Sequence, residues 1–197
     1  MVTIELTDRI EMADSDELSL DELFDWLERI HVPEGYKVEI VEGGVFMSPQ
    51  RDVHWHVIRR IVRAFEDRFG MDVKVLSDVR IDFPGHNNGF APDVVKLSQD
   101  AEKTARGRWR REDVEFVAEV ISKDTAANDF GPKKRAYAAA GVAVYLIADP
   151  YAGKCHVFTE PKGDDYLGES TLAFGLPVDL TGTVVDLVLA TDGFPRD

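Results

Sequence analysis

Glu115-Phe116-Val117-Ala118-Glu119-Val120-Ile121 is the stretch on which the fold turns. Its β-branched and aromatic residues read as a strand, and one carboxylate stands inside it. Alternation puts Val117, Glu119 and Ile121 on one face, so Glu119 interrupts an otherwise apolar row. Upstream, Ala91-Pro92-Asp93-Val94-Val95-Lys96-Leu97 reads as a second strand that begins at Pro92, a tolerated position for proline. Downstream, Lys133 to Ala140 has helix-forming composition and Gly141 ends it. Val142–Ala148 is an almost continuous apolar run, which suits a strand buried on both faces. Strand, strand, helix and strand in that order predict an α/β fold, in the α+β sense of a mixed central sheet.

The flanking sequence extends this core. Ser19 and Glu22 have capping-box spacing, with Leu18 and Leu23 placed as a hydrophobic staple. Leu20, Leu23, Phe24, Leu27 and Ile30 then recur at helical intervals, and His31–Gly35 closes that helix. Tyr36–Val41 alternates like a strand, Glu42-Gly43-Gly44 supplies a turn, and Val45–Met47 returns as the second arm of a hairpin. A second helix is predicted from Asp52 to Phe69, lined by Val57, Ile58, Ile61, Val62, Phe65 and Phe69 and ended by Gly70. Strands are expected at Asp72–Leu76 and Val79–Phe83, a loop at Gly85–Gly89, and a mobile loop or short helix over 98–113. From Lys154 onward, short strand-like pieces alternate with glycine and proline turns, a β-rich C-terminal extension. Residues 1–17 read as a flexible acidic lead-in and 18–197 as one domain.

Charge restricts the choice of partner. The net charge is −14, which argues against a general binder of phosphate backbones. Residues 1–28 contribute −9 of it, with ten acidic side chains against Arg9, and leave −5 on the rest. Basic side chains gather at Arg51, Arg59, Arg60, Arg63 and Arg68, and again at Lys103, Arg106, Arg108, Arg110 and Arg111. The second group includes Trp109, which could stack on a base, so Arg108, Trp109, Arg110 and Arg111 are candidates for contact with DNA. The plainer reading is a solvated loop with one aromatic anchored in the core. The single cysteine, Cys155, excludes an internal disulfide and a thiolate metal site. No window is apolar enough to cross a bilayer, and Met1–Glu5 lacks the start of a secretory signal, so no membrane contact and a cytoplasmic address are the expectation.

Asp93 and Glu119 are the residues that suggest chemistry. A Mg²⁺ site for hydrolysis needs two or three carboxylates, and the ion keeps several waters because it dehydrates reluctantly. A nearby lysine can orient the attacking water or offset charge on the phosphoryl oxygens. A carboxylate inside an apolar strand is costly to bury unless it is paired or metal-bound. Against this, Glu119 could be a strand-end acid that reaches solvent, and Pro92-Asp93 could be ordinary turn chemistry.

Taken together, Pro92-Asp93-Val94-Val95, Glu119-Val120-Ile121-Ser122, Asp129 with Lys133 and Tyr137, Gly141-Val142 and Tyr145–Pro150 resemble the Uma-type family. That bacterial group is named for restriction endonucleases and falls within the PD-(D/E)XK nuclease superfamily. Glu39–Gly43, Met47-Ser48-Pro49 and a histidine on the second helix extend the resemblance from about Leu20 to Val188. It implies a restriction-endonuclease-like core that binds DNA, with Asp93 and Glu119 as ligands of Mg²⁺ or Mn²⁺. It also implies that Glu39 lies near the metal, with Glu42 as a second acid of that hairpin, and that His54 matches the family histidine. The superfamily's usual lysine would fall at position 121, which is Ile121 here. The resemblance places that function on Lys133, with Lys134 as the alternative. Migration is physically reasonable, because lysine is a point charge on a long flexible stem. Tyr137 lies one turn beyond Lys133 and reads as a packing or positioning residue.

The leading expectation is therefore metal-dependent hydrolysis of DNA phosphodiesters through an activated water, by a protein that forms a homodimer. The alternatives are a nucleic-acid-binding or regulatory protein that has lost turnover, a hydrolase of a smaller phosphoester, and a protein-interaction module.

Overall fold

Alternating apolar residues commit the centre of the chain to sheet, and two apolar helix faces cover it. A computed structural model describes residues 9–10, 18–29, 32, 34–49, 51–123 and 125–197. In chain order the elements begin with β1 (Arg9–Ile10), α1 (Leu20–Leu27), β2 (Tyr36–Val41), β3 (Gly44–Pro49) and α2 (Asp52–Phe69). Four short strands follow: β4 (Val75–Leu76), β5 (Ile81–Phe83), β6 (Asn88–Phe90) and β7 (Val94–Leu97). Then come β8 (Val114–Val120) and a helical run over 126–139, here α3. β9 (Val144–Asp149), β10 (Lys154–Lys162), β11 (Asp165–Ala173), β12 (Val178–Asp179) and β13 (Val188–Leu189) complete the chain.

The central sheet has the order β11-β10-β9-β8-β7-β4. Within it β8 and β9 run parallel, joined by α3 as a crossover, while β7 with β8 and β9 with β10 are antiparallel. The sheet is mixed, as expected. A second, antiparallel sheet of order β1-β3-β2-β6-β5 lies beside it, and that division was not expected. The stretch Gly85–Gly89 explains the difference. Instead of a loop throughout, Asn88–Phe90 is a strand, and Gly89 pairs with Ile40 on one side and Asp82 on the other. Gly89 is there for close approach: a Cβ would lie 2.5 Å from the Phe24 ring of α1.

α1 begins where expected. Ser19 caps it, its hydroxyl accepting from Glu22 N–H while the Glu22 carboxylate accepts from Ser19 N–H. Ile30 and His31 lie outside the described residues, as does most of the 1–17 lead-in; within that segment Arg9–Ile10 pairs with β3. The expected strands at Asp72–Leu76 and Val79–Phe83 are shorter, Val75–Leu76 and Ile81–Phe83, with Asp78 between them at a left-handed φ of 55°. Beyond residue 153 the chain is β-rich, but β10 and β11 form one hairpin of two nine-residue strands, not several short pieces.

Each face of the central sheet has its own core. On one face, Val57, Ile58, Ile61 and Phe65 of α2 pack on Val94, Phe116, Ala118 and Leu146, with C-terminal residues such as Val185 and Leu189. On the other, Val95, Val117, Tyr145 and Ile147 meet Tyr137 of α3 and Ile81, Phe83 and Phe90 of the second sheet. Among the described residues, no helix is long and apolar enough to cross a membrane. Phe65 is fully buried and packs edge-on against Phe116 at 5.0 Å between ring centroids. Phe65→Ala should therefore destabilise the fold by about 3–5 kcal/mol, read as a lower denaturant midpoint at unchanged slope.

Candidate functional site

The antiparallel register of β7 and β8 pairs Val94 with Ala118, which brings Asp93 and Glu119 side by side at the end of the two strands. Each carboxylate is held by the other strand's backbone. Asp93 Oδ2 accepts from Val120 N–H at 2.7 Å, and Glu119 Oε2 accepts from Asp93 N–H at 3.3 Å. Both residues are buried, Glu119 to 1% exposure. Glu119 does not reach solvent at a strand end, and Asp93 is not turn decoration.

Two further elements converge on this pair. Lys37 and Glu39 lie on one face of β2, two residues apart. α3 contributes a π-turn, Asp129–Lys133, between the α-helical turn Ala126–Asn128 and the α-helix Lys134–Ala139. The expected helix at Lys133–Ala140 is thus the end of a longer run with a local widening, a distortion found frequently at functional sites. Tyr145 Oη donates to the Asp129 carbonyl at 3.0 Å and secures the π-turn to the sheet.

Lys133 is the hub. Its ammonium lies 2.8 Å from Glu119 Oε1, 2.9 Å from Glu39 Oε2 and 3.1 Å from Asp129 Oδ1. Tyr137 Oη donates to Glu119 Oε1 at 2.6 Å, and Ala91 N–H donates to Glu39 Oε1 at 2.8 Å. A second ammonium, Lys37, lies 2.7 Å from Asp93 Oδ1, 3.6 Å from Glu119 Oε2 and 3.7 Å from Glu39 Oε2. Four carboxylates and two ammonium groups leave a formal excess of two negative charges when all are ionised.

That excess appears in the protonation equilibria. Burial raises the Glu119 pKa to about 7, with Glu39 and Asp93 adding repulsion and Lys133 and Lys37 opposing it. Burial also raises Asp129. It works against ionisation of Asp93 and Glu39 too, but Lys37 and Lys133 override it and hold both below the usual carboxylate values. Burial alone would depress Lys133; Glu119, Glu39 and Asp129 reverse that and raise it.

The cluster borders a cavity of about 20 Å³, room for one water-sized occupant. Among the described residues no three acidic, imidazole or thiolate groups converge closely enough to hold a metal ion on their own. The donor chemistry nevertheless fits a hard divalent cation. One ammonium, Lys37, touches oxygens of both Asp93 and Glu119, so a single cation can span them. Mg²⁺ characteristically takes one or two carboxylates and fills its remaining positions with water and substrate oxygens. Lys37 would have to swing aside, which its long flexible stem permits.

His54 lines the same cavity from the first turn of α2. Its Nε2 is buried without a hydrogen-bond partner, while the ring bonds the backbone of Ile121. Burial lowers its pKa and favours the neutral ring. Ile121, at the superfamily's lysine position, is buried in the core.

Other expected residues go elsewhere. Lys134 pairs with Asp165 at 2.8 Å and lies over Phe158, so Lys133 alone of the two reaches the cluster. Glu42 turns outward to Arg135 at 3.0 Å. Arg108 is paired with Asp21 at 2.6 Å and Asp82 at 3.3 Å, and Arg111 with Glu112 at 3.0 Å. Trp109 is half-buried against the core beneath Lys103, and Arg110 remains exposed. These residues line a groove separate from the carboxylate cluster. Sequence reasoning missed Lys37 and left Asp129 without a role. The signal for Lys37 was its alternation with Glu39 on a strand face that continues to buried Val41.

Between the ordinary glutamate range and about pH 7, folded Glu119 keeps a proton that the unfolded chain has released. Its contribution to stability is therefore greatest at low pH and is lost as pH rises through 7. Glu119→Gln should gain stability relative to wild type between about pH 5 and about pH 8 in chelator, by thermal melts at matched ionic strength. Parallel curves would contradict a raised Glu119 pKa.

Comparisons with known proteins bear on the fold and the family. No curated protein matches the chain. A solved structure from Anabaena variabilis ATCC 29413, titled a "putative nuclease belonging to DUF820", superposes with a TM-score of 0.68 at 14% identity, covering 90% of this chain and 97% of that one. At that identity the match establishes the fold, which is restriction-endonuclease-like. The model of the Uma2 family, described as "Putative restriction endonuclease", matches residues 20–192. That match spans nearly the whole chain, and the protein belongs to the Uma2 family.

Proposed function

We propose that this protein is a Mg²⁺- or Mn²⁺-dependent nuclease that hydrolyses DNA phosphodiester bonds, with Asp93 and Glu119 as the metal ligands. The observation that carries the reading is the buried cluster of four carboxyl groups around two ammonium groups, in which one cation, Lys37, already bridges Asp93 and Glu119. The family's description and the nuclease-like fold support it. A bound divalent ion would polarise the phosphoryl oxygen and lower the pKa of an attacking water.

The chain's own residues supply the rest. Lys133, held on three carboxylates, keeps its proton and places a fixed positive charge where the phosphoryl oxygens gain negative charge. Tyr137 donates to Glu119 and fixes its rotamer, a positioning role. Glu39 orients Lys133 from the second sheet. His54, with Nε2 open to the cavity, is placed to accept a proton from water or to hydrogen-bond a phosphate oxygen. With a divalent ion held by Asp93 and Glu119, Lys37 would be released from Asp93 and available as a second cation for the substrate phosphate.

Cleavage of supercoiled and linear DNA with Mg²⁺ or Mn²⁺ tests this. Asp93→Asn and Glu119→Gln should each lower the rate by on the order of 100-fold or more, and Lys133→Met comparably. Turnover that survives both carboxylate substitutions would place the chemistry elsewhere. DNA binding without cleavage in either metal would favour the alternative of a binding protein that has lost turnover.

A further inference from the structure

One large aromatic beside the carboxylate cluster has no part in the core. Trp55 is 57% exposed on the first turn of α2, although its neighbours Val57, Ile58 and Ile61 are buried. It borders a cleft of about 190 Å³ whose other walls include Arg51, His54, Ile58 and Asp93. His54 and Asp93 also line the catalytic cavity, so the cleft and the cavity share a wall. Arg51 lies one turn before Trp55, and Trp55 N–H donates to its carbonyl at 3.2 Å. The Arg51 guanidinium is half-exposed in a solvent-screened pair with Asp197 at 3.3 Å, a contact weak enough to exchange for another anion.

Resting on the nuclease reading above, we propose that Trp55 and Arg51 form a subsite for an unpaired base of a DNA strand whose phosphate lies at the carboxylate cluster. Three observations converge on this occupant. The cleft is smaller than the roughly 300–1,000 Å³ of pockets for drug-sized ligands, and it suits one planar ring system. Its lining includes two carboxylate residues, Asp78 and Asp93, which disfavour a phosphate but tolerate the donor edge of a base, together with Arg51. His54, whose Nε2 is buried without a hydrogen-bond partner, lines the same cleft and can offer a base edge a polar contact.

Pairing state follows from the indole. Inside a duplex both faces of a base are covered by its neighbours, so a tryptophan shelf rewards a base that is unstacked or single-stranded. The net charge of −14 points the same way. A chain with 37 acidic against 23 basic side chains gains little from tracking a long duplex backbone and must draw affinity from local contacts. The subsite therefore makes single strands, frayed ends and gaps the preferred substrates over intact duplex.

Equilibrium binding of a fluorescein-labelled DNA oligonucleotide to the full chain in EDTA tests the subsite without turnover. The single strand should bind more tightly than its duplex, and Trp55→Ala should weaken single-strand binding about 5- to 150-fold, the range of one lost base stack. Trp55→Phe should retain most of the affinity, because the stacking face survives. Thermal melts establish that each variant is folded, as expected for a residue outside the core. Equal affinity of wild type and Trp55→Ala for the single strand, or preference for duplex, would overturn the proposal. Tighter binding of the matching RNA would overturn its assignment to DNA. Hydrolysis of bis(p-nitrophenyl) phosphate by the wild type with Mn²⁺ separately reads the nuclease proposal, since that diester has no base. Failure there with single-strand preference intact would sink the chemistry and leave the subsite standing.

Discussion

A carboxylate buried in the middle of a sheet has to be neutralised, and the arrangement of Glu119 follows from that constraint. Taking an ionised acid out of water without partners costs far more than one side chain can contribute to stability. Glu119 is almost fully buried, accepts from Tyr137 and the Asp93 backbone, and is ion-paired with Lys133. Those partners come from α3 and β7, so the position of both elements is coupled to one charge. Lys133 in turn draws Glu39 from the second sheet and Asp129 from its own helix. The ion cluster thereby ties together two sheets and a helix that the apolar cores also join.

The same constraint accounts for where Lys133 sits. Just beyond β8, Ile121 follows Glu119 on the inward side, where it meets apolar neighbours from α3 and the second sheet. A cation can still reach Glu119 from above, provided the helix is turned so that Lys133 and Tyr137 point inward together. The π-turn at Asp129–Lys133 and the bond from Tyr145 to the Asp129 carbonyl supply that rotation. Function of this kind is carried by spatial position, and a long flexible side chain on a different element can occupy it.

Surface charge is organised differently. The basic run around Arg106–Arg111 looks like a nucleic-acid surface in one dimension, yet Asp21 of α1 and Asp82 of β5 fold against Arg108, and Asp21 also meets Arg106. An acidic helix thus absorbs much of the charge that composition assigns to a partner. Trp55 is an exposed aromatic near the carboxylate cluster, on the side of α2 that also exposes Asp52, His56 and Arg59.

Local pattern alone determined several features. The capping box at Ser19, the long helix Asp52–Phe69, the hairpin of β2 and β3, and the strands around Asp93, Glu119 and Val144–Asp149 are written in periodicities of 2 and 3.6 and in turn chemistry, which act between near neighbours. Asp93 and Glu119 were legible for the same reason, since carboxylates at the start of and inside apolar strands stand out in one dimension, whereas Lys133 was singled out by the family resemblance. The partition into two sheets, the strand at Asn88–Phe90, the choice of Lys133 over Lys134, and the entry of Lys37 and Asp129 depended on contacts between distant segments. Gly89 reads as a turn until α1 is seen to pack on it, and Lys37 reads as an ordinary strand charge until β2 is laid against the end of β8. Electrostatic compensation is a property of distances in space, so only the tertiary structure could decide which charges meet.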